Sequence, residues 1–397
     1  MTIMMNLIPD VVEQSNAFKS IRRHIHAHPE IAFEEYDTSK LVAGMLEEWG
    51  LEVHREIAGT GVVGVLRGQA GAKSIGLRAD MDALPMQENN TFSHCSHNNG
   101  KMHGCGHDGH ITMLLAAARY LSLNRTFKGA INFIFQPAEE GGGGAKRMIE
   151  EGLFERFPCD AVFALHNWPG LHAGEFATRS GPIMASCNQF SITVHGRGGH
   201  AAMPQHTIDP ILAAANIVSA LQSVVSRNTS PLDNAVLSVT SLQAGSSFNI
   251  IPDHARIGGT VRTFDMTVLD MIEKRMEDIS KLTAQAHGCH AEFSFHRQSI
   301  ATVNDADQTA FASSIMSAIV GSENVNTNIE PTMGAEDFAY MLSERPGCYA
   351  FIGNDMQAKN SRNFGLHHPS YDFNDDVISL GASYWVKLAN AFLDGAH

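Results

Sequence analysis

Long apolar runs are missing from this chain. No stretch approaches the roughly twenty uninterrupted apolar residues that a membrane-spanning helix requires. Cysteine is scarce, at six in 397 residues, which is too sparse for a disulfide scaffold. Cys95, Cys159, Cys187, Cys289 and Cys348 read as buried or half-buried thiols, and reducing, cytoplasmic surroundings are expected. Basic residues are outnumbered, 28 Lys plus Arg against 42 Asp plus Glu, and a net charge of −14 repels phosphates and argues against nucleic acid as a partner. The first ten residues lack a basic stretch followed by an apolar core, so no signal peptide is expected. The chain carries no internal repeat and no low-complexity tract. At 44% apolar and 18% charged residues the composition is that of an ordinary globular protein. The length leaves room for two or three domains, each with its own core.

Against this background the run His103-Gly104-Cys105-Gly106-His107-Asp108-Gly109-His110 stands out. It packs one thiol and three imidazoles among glycines. Two further segments complete a plausible metal site, Gln136-Pro137-Ala138-Glu139-Glu140-Gly141 and Leu165-His166-Asn167. Cys and His mixed with a carboxylate suit zinc, cobalt, nickel or manganese rather than calcium or magnesium. Taken alone, the run is also compatible with a small structural zinc site; the paired glutamates favour catalysis.

Apolar spacing predicts two helices across 10–50, broken at His28-Pro29 and stopped at Gly50. Strands are expected at 62–66, 74–78, 129–135 and 161–165, with a long helix over 109–123. Short apolar strands alternating with helices indicate an α/β sheet covered on both faces. Asp80 and Asp82, Glu139-Glu140 and His166 then each follow a strand, and ligands of open α/β sheets gather at the carboxyl ends of strands. From about Ser186 the order changes to strand 190–196, helix 209–225, strands 235–242 and 257–262, helix 267–286 and strand 291–296. This is the split β-α-β-β-α-β, ferredoxin-like pattern. It reads as an insertion, because α/β signals resume after about Ala301. The expected organisation is a catalytic domain over 1–185 and 301–397 and an inserted α+β domain over 186–300.

Six motifs in order carry a family resemblance: Arg78-Ala79-Asp80-Met81-Asp82-Ala83-Leu84-Pro85, the 103–110 run, 136–144, 198–204, Asn249-Ile250-Ile251-Pro252 and Leu366-His367-His368-Pro369. The chain resembles the metal-dependent amidohydrolases related to aminoacylase and carboxypeptidase G. Within them it is similar to the branch of hippurate hydrolase and the plant auxin-conjugate hydrolases, over essentially its whole length. The resemblance implies a mixed-sheet catalytic domain of zinc-peptidase type with an inserted dimerisation domain. It also implies two divalent metal ions per subunit (Zn, Mn, Co or Ni), held by Cys105, His107, Glu140, His166 and His367. Cys105 stands where many relatives have a bridging aspartate. His367 is selected over its neighbour His368 by the family's Leu-His-x-Pro order. Glu139 would be the general base for the attacking water. Asp82 would hold a histidine ligand, expected to be His107, in the right tautomer. Asp80 occupies a position where relatives with other metal sets often have histidine. His103 and His110 are expected in supporting roles, and Asp108 as a helix N-cap or a supporting partner. His200 would reach a partner subunit's active site and stabilise the developing oxyanion, while Asn249 and Arg262 match substrate-holding positions; Arg262 is equally suited to pairing with a structural acid. The segment Gly334-Ala335-Glu336-Asp337-Phe338 would shape the pocket.

The activity implied is hydrolysis of the amide bond of N-acyl amino acids (acetyl, benzoyl or other aromatic acyl groups) by a homodimer. A dipeptidase or carboxypeptidase with the same dimetal centre is the alternative. A non-catalytic homologue is disfavoured because Glu139 and all five ligands are present.

Overall fold

The computed structural model describes residues 5–355 and 363–395. It divides into two compact units, the first of Met1–Ile183, Val303–Glu330 and Asp337–His397, the second of Met184–Thr302 and Pro331–Glu336.

The first unit is built on an eight-stranded mixed sheet. Its strands lie in the order Glu52–Ile57, Gly61–Arg67, Lys128–Gln136, Gln69–Asp80, Ala161–His172, Gly347–Asp355, Phe176–Ala177 and Val325–Asn326. The four strands from Lys128–Gln136 to Gly347–Asp355 run parallel. Alternation explains how they are covered. Ile75, Leu77 and Ala79 of one strand, Ile131, Phe133 and Phe135 of the next, and Phe163 and Leu165 of a third enter the same core. That core is closed by the helices Ser15–Ala27, Tyr36–Glu48, His107–Leu123 and Ile378–Asp394. Burial of both faces leaves Lys128–Gln136 and Gly347–Asp355 as near-continuous buried runs, as parallel strands require.

Most expected strands and helices are present with ends shifted by a few residues. The edge strand Glu52–Ile57 was not expected; it is half exposed and carries Glu52, Arg55 and Glu56, so no apolar run announces it. His166 does not follow its strand. Ala161–His172 runs on past it, paired with Gly347–Asp355 through Phe351 opposite His166. Pairing with Gln69–Asp80, however, stops at Arg78 opposite Ala164. The two strands part company there, and Asp80 and His166 line the opening between them.

The second unit holds a four-stranded antiparallel sheet in the order Ala235–Ala244, His254–Thr263, Cys187–His195, His290–Ser299. Helices Pro210–Ser223 and Met266–Ala286 supply the other half of its core. Inward residues alternate along Cys187–His195 as Asn188, Phe190, Ile192 and Val194, the period of a sheet covered on one face. The helix expected to reach 225 ends at Ser223 and passes into a π turn at Val224–Asn228.

Candidate metal centre

Three carboxylates suspend the loop that bears the paired glutamates. Asp82 accepts hydrogen bonds from the backbone N–H groups of both Glu139 (3.0 Å) and Glu140 (2.9 Å). Glu35 accepts that of Ala138 at 2.9 Å and the Thr60 hydroxyl. Asp337 accepts from Ala145 N–H at 2.9 Å and from the Gln136 side chain at 2.7 Å. Ala138 is thereby held at φ 53°, a left-handed conformation that a residue with a Cβ rarely adopts. Among the glycines at 141–144, Gly144 serves the loop itself: a Cβ there would lie 1.7 Å from the Pro137 carbonyl oxygen.

The histidines expected as ligands are oriented largely by backbone groups. His107 opens the helix His107–Leu123, and its Nδ1–H donates to the Asp82 carbonyl at 2.8 Å, leaving Nε2 free. The Asp82 carboxylate is farther off, at 3.5 Å, so Asp82 meets His107 chiefly through its main chain and spends its carboxylate on the glutamate loop. His166 Nδ1–H donates to the Asn167 carbonyl at 2.6 Å, and its Nε2 faces Cys105 Sγ at 3.5 Å. His367, held at φ 62°, is tied by its N–H to the Gly104 carbonyl at 2.8 Å and sets Nε2 3.3 Å from Glu140 Oε1. His368 turns elsewhere: its ring stacks on Phe364 and its Nδ1 accepts from Ser370 N–H.

Donor atoms of Cys105, Glu140 and His367 all lie within 4.8 Å of one another, as do those of His107, Glu139 and Glu140, and those of Asp80, His107, His110 and His166. Not all of these are free. His110 gives Nδ1 to Asp80 Oδ1 (2.6 Å), and its Nε2 meets the backbone N–H and the side-chain amide of Asn167 (3.0 and 2.7 Å). Asp80 gives its other oxygen to Arg78 at 2.8 Å. By contrast, His107 Nε2 and Glu140 Oε1 are buried, lie 4.0 Å apart and make no hydrogen bond. Buried polar atoms are seldom left so, and a nitrogen and a carboxylate oxygen that face each other beside a thiol fit a borderline cation.

The electrostatics agree. Burial opposes charge on His107, but Asp80, Asp82 and Glu140 outweigh it and push its pKa up to about 10, so the spot attracts positive charge. Burial and then the charges of Glu140, Glu139 and Asp80 push the Cys105 thiol well up. Its ionisation therefore depends on a cation beside it. His166 is held neutral by burial and by its neighbour His110.

His103 is buried with neither ring nitrogen hydrogen-bonded, and burial pulls its pKa down to about 3. Asp108 is not the helix cap, which is the left-handed Gly106; its carboxylate instead meets His26 and Arg22. Asp337, expected only to shape a pocket, is a structural anchor for the glutamate loop. Sequence reasoning missed Glu35, Asn167 and Tyr371, whose roles arise from backbone groups and neighbours far along the chain.

In the second unit, His200 and Asn249 are brought together. Gly199–His200 pairs with Ile250–Ile251, and Ala201 N–H donates to the Asn249 carbonyl at 3.0 Å. His200 is exposed, and its Nδ1 accepts from Ala202 N–H at 3.1 Å. Arg262 lies apart, in a groove of about 400 Å³ on the four-stranded sheet that Cys187, Gln189 and Gly259 also line.

A mixed sheet of this topology, with sulfur, nitrogen and carboxylate donors converging at its parallel strands, is that of a metal-dependent amidohydrolase. The Peptidase family M20/M25/M40 model matches residues 76–391, and the chain belongs to that family. It is 44% identical over 389 residues to a hippurate hydrolase of Campylobacter jejuni, covering 98% of this chain and 100% of that protein. It is 41% identical to the Arabidopsis thaliana IAA-amino acid hydrolase ILR1-like 4, over 94% of this chain and 85% of that one. The structure matches a dinuclear metal-binding M20 peptidase of Bacillus subtilis with a TM-score of 0.83 and 32% identity, over 96% of this chain and 99% of that one.

Proposed function

We propose that this protein hydrolyses the amide bond of N-acyl amino acids, with two divalent ions held by Cys105, His107, Glu140, His166 and His367. The observation that carries the reading is the pair of buried, unbonded donors, His107 Nε2 and Glu140 Oε1, set beside Cys105, His166 and His367. Bound there, the ions would polarise the scissile carbonyl and make water acidic enough to attack at neutral pH. Glu139 takes the proton from the attacking water and passes it to the leaving nitrogen. Its place next to Glu140 on a loop fixed by Asp82 supports that division.

His200 is the oxyanion donor in this reading. Support comes from its Nδ1, which accepts a backbone hydrogen bond and so leaves the proton on the outward Nε2. Arg262 is the group for the substrate carboxylate, for which its planar fork is suited, and Asn249 positions the acyl group beside His200. The working form is a homodimer joined through the second unit, which exposes Met203, Ile211, Leu212, Leu242, Phe248 and Ile250. A cytoplasmic setting is supported by six cysteines, all unpaired; among the described residues, no helix is long and apolar enough to cross a membrane.

The test is release of free amino acid from a panel of N-acyl amino acids and dipeptides, by metal-loaded wild type, chelated protein and Glu139→Gln. Acyl amino acids should be turned over by the first alone. Glu139→Gln should keep both ions and lose about 10²- to 10⁴-fold in kcat. Turnover confined to dipeptides would favour the peptidase alternative that the family also contains. Wild-type rates in Glu139→Gln would remove the proposed base.

A further inference from the structure

Beside the ligand cluster lies a second group of buried charges that this chemistry does not use. Arg22, on the helix Ser15–Ala27, is 1% exposed, yet its guanidinium meets three acids and a histidine. Nε donates to Asp375 Oδ1 at 2.8 Å; Nη1 donates to Asp372 Oδ1 at 2.7 Å and to Asp108 Oδ2 at 3.2 Å. Nη2 lies 3.1 Å from His94 Nε2, which is itself 3.1 Å from Asp372 Oδ2.

Two of these acids sit on segments that bear candidate ligands. Asp108 is the neighbour of His107 at the start of its helix. Asp372 follows His367 in the same loop, which is anchored further by Pro369 O on Asn89 N–H (2.8 Å), Tyr371 O on Asn90 Nδ2 (3.0 Å) and the Tyr371 hydroxyl on Asn167, next to His166 (2.5 Å). The third acid, Asp375, lies beyond the ligand loop, where the C-terminal helix is about to begin, and is shared with Arg23 at 2.8 Å. A buried guanidinium is costly to strand and its fork has fixed geometry. Asp108 and Asp372, which share its Nη1, are therefore held at a set separation.

We propose that Arg22 is a positioning residue for the two-ion centre: by gripping Asp108 and Asp372 together, it fixes the spacing between His107 and His367. This rests on the reading of those two histidines as ligands. A lysine in its place keeps the charge, but it lacks the Nε and Nη2 donors and its shorter chain ends short of the point where Nη1 meets both acids. Removing the Asp372 charge frees the His367 loop alone. Asp375 offers an internal control, since it holds Arg22 without bearing on either ligand segment.

The experiment is calorimetric titration of ion-free protein with ZnCl₂, in parallel with thermal unfolding of the same ion-free samples, for wild type, Arg22→Lys, Asp372→Asn and Asp375→Asn. Arg22→Lys and Asp372→Asn should weaken at least one of the two binding steps by roughly 10- to 100-fold. Asp375→Asn should lower the unfolding temperature while leaving both steps within about twofold of wild type. If Arg22→Lys fails to fold, Asp372→Asn carries the test alone. Unchanged stepwise affinities in Asp372→Asn, with two ions bound by wild type, would overturn the proposal and spare the ligand assignment. An equal loss in Asp375→Asn would overturn it as well, by reducing the effect to general loosening. Fewer than two ions in wild type would bring down the ligand assignment and the proposal with it.

Discussion

His26 makes the buried charge cluster a pH-dependent brace. Its ring is fully buried, and both nitrogens face carboxylates, Nδ1 at 2.8 Å from Asp108 Oδ2 and Nε2 at 3.2 Å from Glu88 Oε1. Asp372 stands 4.0 Å from Nδ1, and the rings of His94 and His103 pack nearby. Burial opposes a charged ring, as does Arg22, but Asp108 and Glu88 outweigh them and push the pKa up to about 9 from 6.5. A raised native pKa means that the folded chain binds one more proton than the unfolded chain between those two values. The contribution is therefore complete below pH 6.5 and is lost as the pH rises through 9, at about 1.4 kcal/mol per pH unit and about 3 kcal/mol in all. The assay is urea unfolding of ion-free wild type and His26→Gln across that window. His107 titrates in the same direction in both proteins, so the difference between them isolates His26. Wild type should lose about 3 kcal/mol more than the variant. Equal pH dependence in the two would refute the imidazolium assignment.

Three further outcomes follow from the geometry. Gly106 sits at φ 91°, and a Cβ there would lie 2.2 Å from Asn167 Oδ1 and 2.6 Å from the Tyr371 hydroxyl. Gly106→Ala should cost roughly 2 to 5 kcal/mol by thermal or urea unfolding, from overpacking and the left-handed backbone together; wild-type stability would show that the site yields more readily than argued. His200→Gln should lower kcat by about 10²- to 10³-fold with ion content unchanged, and Arg262→Lys should raise KM far more than it lowers kcat. A KM unmoved in Arg262→Lys would place the substrate carboxylate elsewhere.

The segments proposed to bear the ligands were legible because their chemistry is local. Thiol, imidazole and paired carboxylates in glycine-rich loops announce themselves without knowledge of the fold, and short apolar runs placed most of the strands beneath them. The supports were not legible for the opposite reason. Glu35 earns its place by meeting one backbone N–H, that of Ala138, more than a hundred residues away. Asn167 links His110 to Tyr371, 204 residues further on. No periodicity or spacing encodes such a partner. Asp108 shows how a local rule misleads: an acid at a helix start suggests a cap, but the buried Arg22 and His26 behind it outbid the helix N-terminus. His166 shows the limit of a boundary argument, since its strand continues while its pairing on one side ends.

The same supports explain how two adjacent glutamates can be given different tasks. Side chains of consecutive residues diverge in any extended or turning backbone, but divergence is useful only if the backbone is fixed. Asp82 fixes it by accepting both N–H groups at once. Glu140 is then committed to the cluster, with burial against its charge overcome by His367 and His107, which hold its carboxyl below the usual range. Glu139 points instead toward the Asp337 N–H, 3.4 Å away. Since Asp337 also grips Gln136 and Ala145 at the two ends of the loop, the segment that receives the Glu139 carboxylate is the one that holds the loop in place. The proposed base Glu139 and the proposed ligand Glu140 are thus set relative to each other by Asp82 and Asp337, neither of which needs to touch an ion.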